Sequence, residues 1–226
     1  MIRVFDVLLS SLAIAILTPL FLIVAIALRL TGEGEIFYTQ QRVGRGGQPF
    51  PLLKFATMLK NSPNMEGGAV TVKDDPRILP FGKFLRDSKI NELPQLINIF
   101  LGHMSVVGPR PLHEQTFACY SREQQISITS VRPGLSGIGS IIFRNEENLL
   151  SGERARFTFY ENQVAPYKGE LEAWFVENKS VKNYLLVIFA TLWVVFFKSS
   201  SLPWRMFSGL PIPPPELQSA LGFTQI

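Results

Sequence analysis

The stretch SKINELPQLIN, residues 88–98, places a carboxamide and a carboxylate side by side, Asn91 and Glu92, just ahead of a leucine and a proline. Two kinds of work are open to the pair. As ordinary structure, Asn91 is a good helix N-cap, Glu92 is the negative charge that a helix N-terminus favours, and Pro94 falls in the first turn, where its missing N–H costs little. Leu93, Leu96, Ile97 and Phe100 follow at helical spacing and supply one apolar face. As chemistry, Glu92 is a hard oxygen ligand for a divalent metal of the kind that handles a diphosphate.

The neighbouring cations favour the chemistry. Arg77, Lys83, Arg86 and Lys89 crowd toward this carboxylate in DDPRILPFGKFLRDSKINELPQ, residues 74–95. Farther on, VGPRP and VRPG hold Arg110 and Arg132 rigidly beside Pro111, Pro133 and Gly134. A guanidinium on a stiff mount loses little freedom when it grips phosphate oxygens bidentately, and scattered surface ion pairs need no such mounts. Several fixed cations around one acid describe a site for a diphosphate with its metal, although Glu92 can serve a helix end as well.

The elements that must position these residues are legible in outline. Val7 to Leu28 carries no charge and would reach ~33 Å as a straight helix, enough to cross a bilayer. Pro19 near its middle removes a helical hydrogen bond and predicts a sharp bend, which the hydroxyls of Ser10, Ser11 and Thr18 can partly satisfy. Arg3 and Arg29 flank the run on both sides. That symmetry suits a re-entrant hairpin with both ends on one side of the membrane, with a kinked spanning helix as the alternative. EIFYTQQRVGRGGQPFPLLKFATM reads as a strand, a glycine-rich turn and a second strand, and has neither the Walker order nor G-x-G-x-x-G. YLLVIFATLWVVFF, between Lys182 and Lys198, is too short to span comfortably and reads as a buried core helix or an interfacial one. The proline-rich LPIPPPEL, Leu210 to Leu217, predicts an extended tail without regular secondary structure.

Composition narrows the partners. A formal charge of +4 and a pI near 9.3 suit phosphate groups, nucleic acid or the acidic face of a bilayer. No strand alternates aromatic with basic residues as a base-stacking platform requires, so nucleic acid is not expected. The single cysteine, Cys119, permits no internal disulfide, and His103 and His113 lack the companions of a zinc site.

With these residues assembled, the chain resembles the monotopic bacterial phosphoglycosyl transferases, the bacterial sugar transferase family of polyprenyl-phosphate hexose-1-phosphate transferases. The resemblance rests on RVFDVLLSSLAIAILTP, QQRVGRGGQPFPLLKFATM, DDPRILPFGKFLRDSKINELPQLINIFLGHMSVVGPRPL and VRPGLSGIGS, in that order. It implies an α+β, mostly helical monotopic membrane protein. A re-entrant helix-break-helix would occupy residues 1–32, a catalytic domain with a short β-hairpin residues 33–180, and an interfacial helix with a Pro-rich tail residues 181–226. It further implies transfer of a sugar 1-phosphate from a nucleotide-sugar donor to a polyprenyl phosphate, with Mg2+, at the cytoplasmic face of the bacterial inner membrane. Homo-oligomers are compatible with it. The catalytic set it implies is Glu92, Asn91, Lys54 and Arg86, with Glu92 on the metal, and Arg77, Arg110, Pro111, Arg132, Pro133 and Gly134 on substrate.

Two positions depart from the family pattern. The usual motif is an Asp-Glu pair whose aspartate attacks the sugar-bearing phosphate; here that position is Asn91, and a neutral carboxamide is a very poor nucleophile toward phosphorus. In KFATM, Ala56 replaces the usual Arg or Lys while Lys54 is kept. Two separated changes suggest a divergent branch, active by direct transfer or silent as a scaffold or regulator. Sugar choice is expected to involve SIIFRNEENLLSGERARF, with Arg144, Glu146 and Glu147 as candidates.

Overall fold

The computed structural model describes residues 2–65, 75–149, 156–197 and 200–223. The chain opens with α1, Ile2–Thr31, followed by an antiparallel hairpin of β1, Phe37–Val43, and β2, Pro49–Phe55. Next come α2, Pro80–Asp87, a 3-10 turn at Ile90–Glu92, and α3, Gln95–Leu101. Strand β3, Ser105–Val107, is separated from its parallel partner β4, Gly134–Ser136, by α4, Glu114–Phe117, and α5, Arg122–Thr129. The rest is helical: α6, Ile138–Ile142; α7, Glu146–Leu149; α8, Arg156–Phe159; a π-helical turn at Tyr160–Val164; α9, Ala165–Glu177; α10, Val181–Phe196; α11, Leu202–Met206; and α12, Pro215–Gln218. The mostly helical α+β expectation therefore holds.

Helix α1 lies along the body for most of its length. Asp6, Ser10, Ala13, Ile14, Leu17, Leu20, Phe21, Val24 and Leu28 recur at helical spacing and face inward. Ala13, Ile14 and Leu17 pack on a cluster of Phe50, Leu52, Leu96, Ile99 and Met104; Val24 and Leu28 join Phe55 and Leu85 in another. Its first turns are pinned by polar contacts. Asp6, 1% exposed, accepts bonds at Oδ1 from the Ser105 hydroxyl (2.8 Å), the Val106 N–H (2.9 Å) and the Tyr184 hydroxyl (2.9 Å). Arg3 donates to the carbonyls of Ile99 (2.6 Å) and Phe100 (2.7 Å), where a cation suits the C-terminal end of α3. The opposite face, including Leu8, Leu12, Ile16, Ile23, Ile26 and Leu30, is exposed.

Three expectations need correction. The break at Pro19 does not interrupt α1: the helix runs through it, and the Thr18 hydroxyl bonds back to the Ile14 carbonyl (2.8 Å) in the turn the proline disturbs. Asn91 caps no helix. It sits inside the 3-10 turn, and α3 begins only at Gln95, after Pro94. The proline tail is not wholly irregular, because Pro215 opens α12, where a helix needs no proline N–H. The aromatic segment near the C-terminus has both characters weighed for it: α10 buries Tyr184, Val187, Ala190 and Val194 in the main core and exposes Leu185, Phe189, Leu192, Val195 and Phe196.

Candidate active site

The hairpin delivers the first cation. Cross-strand pairs Arg42↔Phe50, Gln40↔Leu52 and Tyr38↔Lys54 share one face of the ribbon, since directly opposed side chains point the same way. Phe50 and Leu52 are buried against Leu96 and Ile99 of α3, so Lys54 emerges at the edge of that cluster, beside the turn that leads into α3. The spacing is fixed by Asn98, whose amide donates to the Pro51 carbonyl (2.8 Å) and accepts from the Leu53 N–H (2.9 Å). Strand and helix are thus tied one residue from Lys54.

The carboxylate comes from the 3-10 turn. Lys89 adopts the left-handed conformation, φ +59°, unusual for a side-chain-bearing residue, and redirects the chain from the end of α2 into that turn. The Glu92 N–H then bonds the Lys89 carbonyl (3.1 Å) and the Leu93 N–H bonds that of Ile90 (3.1 Å). Asn91 is buried, and its Oδ1 has no hydrogen-bond partner.

Arg110 meets Glu92 across the site, Nη2 to Oε1 at 3.4 Å. Burial pushes the Glu92 carboxyl up, but Arg110, Lys54 and Lys89 outweigh burial and hold it down to about 2, so it is ionised at any working pH. Burial lowers the Lys54 ammonium; Glu92 opposes that, Arg42, Arg110 and Arg86 reinforce it, and the balance is about 8. Arg42 is lowered to about 10, chiefly by burial and then by Arg110. It donates to Gln40 Oε1 (2.6 Å), while its Nε is buried without a partner. Arg110, Lys54, Lys89 and Arg42 therefore bear on the Glu92 carboxylate, with Arg86 beside Lys54, an excess of positive charge in need of an anion.

Behind Arg110 lies a second acid. Glu172 of α9, 2% exposed, accepts the Arg110 N–H at Oε1 (3.3 Å), and its Oε2 is buried without a partner. Burial raises its carboxyl to about 7 against the opposing pull of the Arg110 N–H and the Lys168 and Arg110 charges. The glycines of LSGIGS admit it: a Cβ on Gly139 would lie 2.4 Å from Glu172 Oε1. The sequence offers no local signal for Glu172. Arg42 could have been found, because it shares the hairpin face that carries Lys54.

The remaining expected residues divide. Glu92, Asn91, Lys54, Arg86 and Arg110 come together, with Pro111 alongside as a distant acceptor for Arg42, 3.5 Å. Arg77 is elsewhere: it is 2% exposed and forks onto Asp75 (2.9 and 2.6 Å), with a further bond to the Ser62 carbonyl (3.2 Å). Arg132 also turns away, donating from Nε to the Gly102 carbonyl (2.8 Å). Pro133 and Gly134 are backbone neighbours of the Arg110 loop. The Gly134 N–H bonds the Pro109 carbonyl (2.8 Å), and a Cβ on Gly134 would fall 2.0 Å from the Gly108 nitrogen. The loop after β3 folds back onto the start of β4, yet the two side chains take different partners, Arg110 the Glu92 carboxylate and Arg132 the Gly102 carbonyl. Glu146 pairs with Lys168 (2.7 Å), and Arg144 donates to the carbonyls of Ile141 (3.2 Å) and Ser200 (3.0 Å). The Glu147 side chain and residues 150–155 lie outside the described residues.

Comparison with known proteins identifies a family. The family profile described as bacterial sugar transferase matches residues 1–198. The exopolysaccharide production protein ExoY of Sinorhizobium fredii is 36% identical over 204 residues, 84% of this chain and 83% of that protein. The UDP-glucose:undecaprenyl-phosphate glucose-1-phosphate transferase of Klebsiella pneumoniae is 31% identical over 88% of this chain, and the undecaprenyl-phosphate galactose phosphotransferase of Salmonella typhimurium 30% identical over 85%. The matched region is 41% and 40% of those two longer proteins.

Proposed function

Because the chain belongs to the bacterial sugar transferase family, whose members are phosphoglycosyl transferases, we propose that it transfers a sugar 1-phosphate from a UDP-sugar to undecaprenyl phosphate, releasing UMP, as the first membrane step of an exopolysaccharide or capsule. The observation that carries the proposal is the ionised Glu92 ringed by Lys54, Arg42 and Arg110, which supplies fixed positive charge for a diphosphate.

The apolar surface supports a monotopic seat at the cytoplasmic face of the inner membrane. Residues from Arg3 to Leu28 of α1 touch the same body that carries the site, so the helix does not stand away from it as a perpendicular span would. Its exposed face, together with that of α10 and with Phe100 and Leu101, offers a surface for lipid.

Magnesium fits the site on one condition. Glu92 supplies an ionised carboxylate, and the adjoining Asn91 Oδ1 is an unpartnered buried oxygen. That donor set suits an ion that takes its other ligands from phosphates and water. When bound, it would neutralise diphosphate charge. The chain's own residues do the rest. Lys54, Arg42 and Arg110 hold the donor phosphates and stabilise the charge that spreads over the transferring group. The acceptor phosphate oxygen attacks the sugar-bearing phosphorus in line, the bond from that phosphorus to UMP breaks, and UMP leaves with the electron pair. This direct route needs no covalent intermediate on Asn91, whose neutral carboxamide is a very poor nucleophile toward phosphorus.

The test is UMP release across a panel of UDP-sugars, with wild type and Asn91→Asp in parallel. The expected result is release by the wild type only with polyprenyl phosphate and magnesium together, and no sugar-phosphate adduct on the intact protein by mass spectrometry. A second reading, a catalytically silent membrane scaffold of glycan assembly, rests on the same carboxamide. Turnover confined to Asn91→Asp would establish it in place of the first.

A further inference from the structure

Arg132 turns away from Glu92 into a second cleft. It has a volume of about 540 Å³ and is lined by Arg3, Asp6, Arg45, Arg132, Lys179 and Ser180, among others. Its four cations come from separate parts of the chain: the start of α1, the tip of the hairpin, the loop before β4 and the loop before α10. Against them stands one carboxylate, Asp6, so the formal charge is four minus one, +3. The lining shares no residue with the Glu92 site.

Two of the cations are anchored, and none of the four is paired with a carboxylate among the described residues. Arg3 and Arg132 are each anchored to carbonyls at the C-terminal end of α3, at 2.6, 2.7 and 2.8 Å, while the Nη groups of Arg132 have no partner among the described residues. Arg45 and Lys179 are exposed, with no hydrogen bond or ion pair among the described residues. The Lys179 ammonium is lowered first by burial and then by Arg45 and Arg132, with Asp6 opposing, so these charges crowd one another. Asp6 is largely committed, its Oδ1 accepting three bonds within the protein. The cleft also borders apolar surface: Val4 and Phe5 on α1, and Phe100 and Leu101 at the end of α3, are exposed.

Positive charge at the rim of an apolar face fits a phosphate that is joined to a hydrocarbon chain. We propose that this cleft holds the phosphodiester headgroup of an anionic bilayer phospholipid, apart from the transfer site, and so sets how the N-terminal end of α1 sits at the interface. The inference does not rest on the transfer reaction, because its readout is lipid affinity rather than turnover.

The experiment titrates the full chain in neutral detergent with dihexanoyl phosphatidylglycerol, and separately with dihexanoyl phosphatidylcholine, dihexanoyl phosphatidic acid and inorganic phosphate, by calorimetry. The wild type is expected to prefer phosphatidylglycerol to phosphatidylcholine, and to lose the preference as salt rises. Arg45→Gln with Lys179→Gln removes two exposed charges and should weaken phosphatidylglycerol binding roughly thirty-fold. Arg122→Gln with Arg205→Gln, matched in charge and outside the cleft, should leave it unchanged. Equal affinity for the two phospholipids, or an unaltered preference in the cleft variant, overturns the proposal. Binding of phosphatidic acid without phosphatidylglycerol would assign the cleft to a lipid phosphomonoester, and equal binding of inorganic phosphate to a free anion; either result also overturns it.

Discussion

Raising the pH is expected to switch off the site through one residue, Lys54. Its ammonium is held near 8 because burial disfavours the charged form and Arg42, Arg110 and Arg86 repel it, with Glu92 the one opposing influence among its stronger neighbours. If that charge is needed to receive the donor diphosphate, kcat/KM should follow the cationic fraction in the free enzyme, about one half at pH 8 and about one tenth at pH 9. Glu92, near 2, and Arg42, near 10, titrate outside this window and cannot produce the same limb. The assay is UMP release at low donor concentration from about pH 6.5 to about 9.5, beside a carbon-13 titration of the reductively methylated protein that reads the lysine directly. Lys54→Arg keeps a cation that stays charged over this range, and should abolish the alkaline decline whatever it does to the absolute rate. A wild-type profile flat to pH 9.5, a decline that persists in Lys54→Arg, or a Lys54 resonance titrating near 10.5 would refute the reasoning.

Other outcomes can be checked more briefly. Glu172 is raised to about 7 from the ordinary carboxyl value of 4.5, so the folded state holds the extra proton and stability should fall as pH rises from about 4.5 to 7. Glu172→Gln should flatten that dependence and raise stability at pH 8 by about 3 kcal/mol at most, measured by thermal unfolding in detergent. Glu92 has the opposite sign: its contribution is present above about 4.5 and is lost as pH falls toward 2, and Glu92→Gln should remove it from the same scans. Arg77→Ala leaves Asp75 charged at 2% exposure and should cost about 3–5 kcal/mol of stability, while purified folded variant retains its UMP release per molecule. Magnesium alone should bind weakly, repelled by the cations around Glu92, and UDP should tighten it at least several-fold in a manganese-competition titration.

The amino-acid order alone determined the local elements and the motif inventory. The hairpin follows from Gly46 and Gly47, which take φ of +69° and +74° in its turn. The apolar stripe of α1 follows from helical periodicity, and the grouping of Glu92 with Arg86 and Lys89 from nearness in the chain. Lys54 and Arg110 were legible only through their motifs. Tertiary structure decided the rest, because it depends on pairings between distant segments. Arg110 and Arg132 sit in twin motifs that read alike, and the loop of one lies against the loop of the other, yet Arg110 meets Glu92 and Arg132 the Gly102 carbonyl, partners that only the folded chain supplies. Arg77 looks like its neighbours in sequence, but a carboxylate two residues earlier claims it in a buried fork. Glu172 reaches the back of Arg110 from 62 residues away, through space that only glycine at position 139 leaves open. A side chain's type fixes the chemistry it can do; which partner uses that chemistry is settled by long-range packing, where burial and neighbouring charge set each group's protonation.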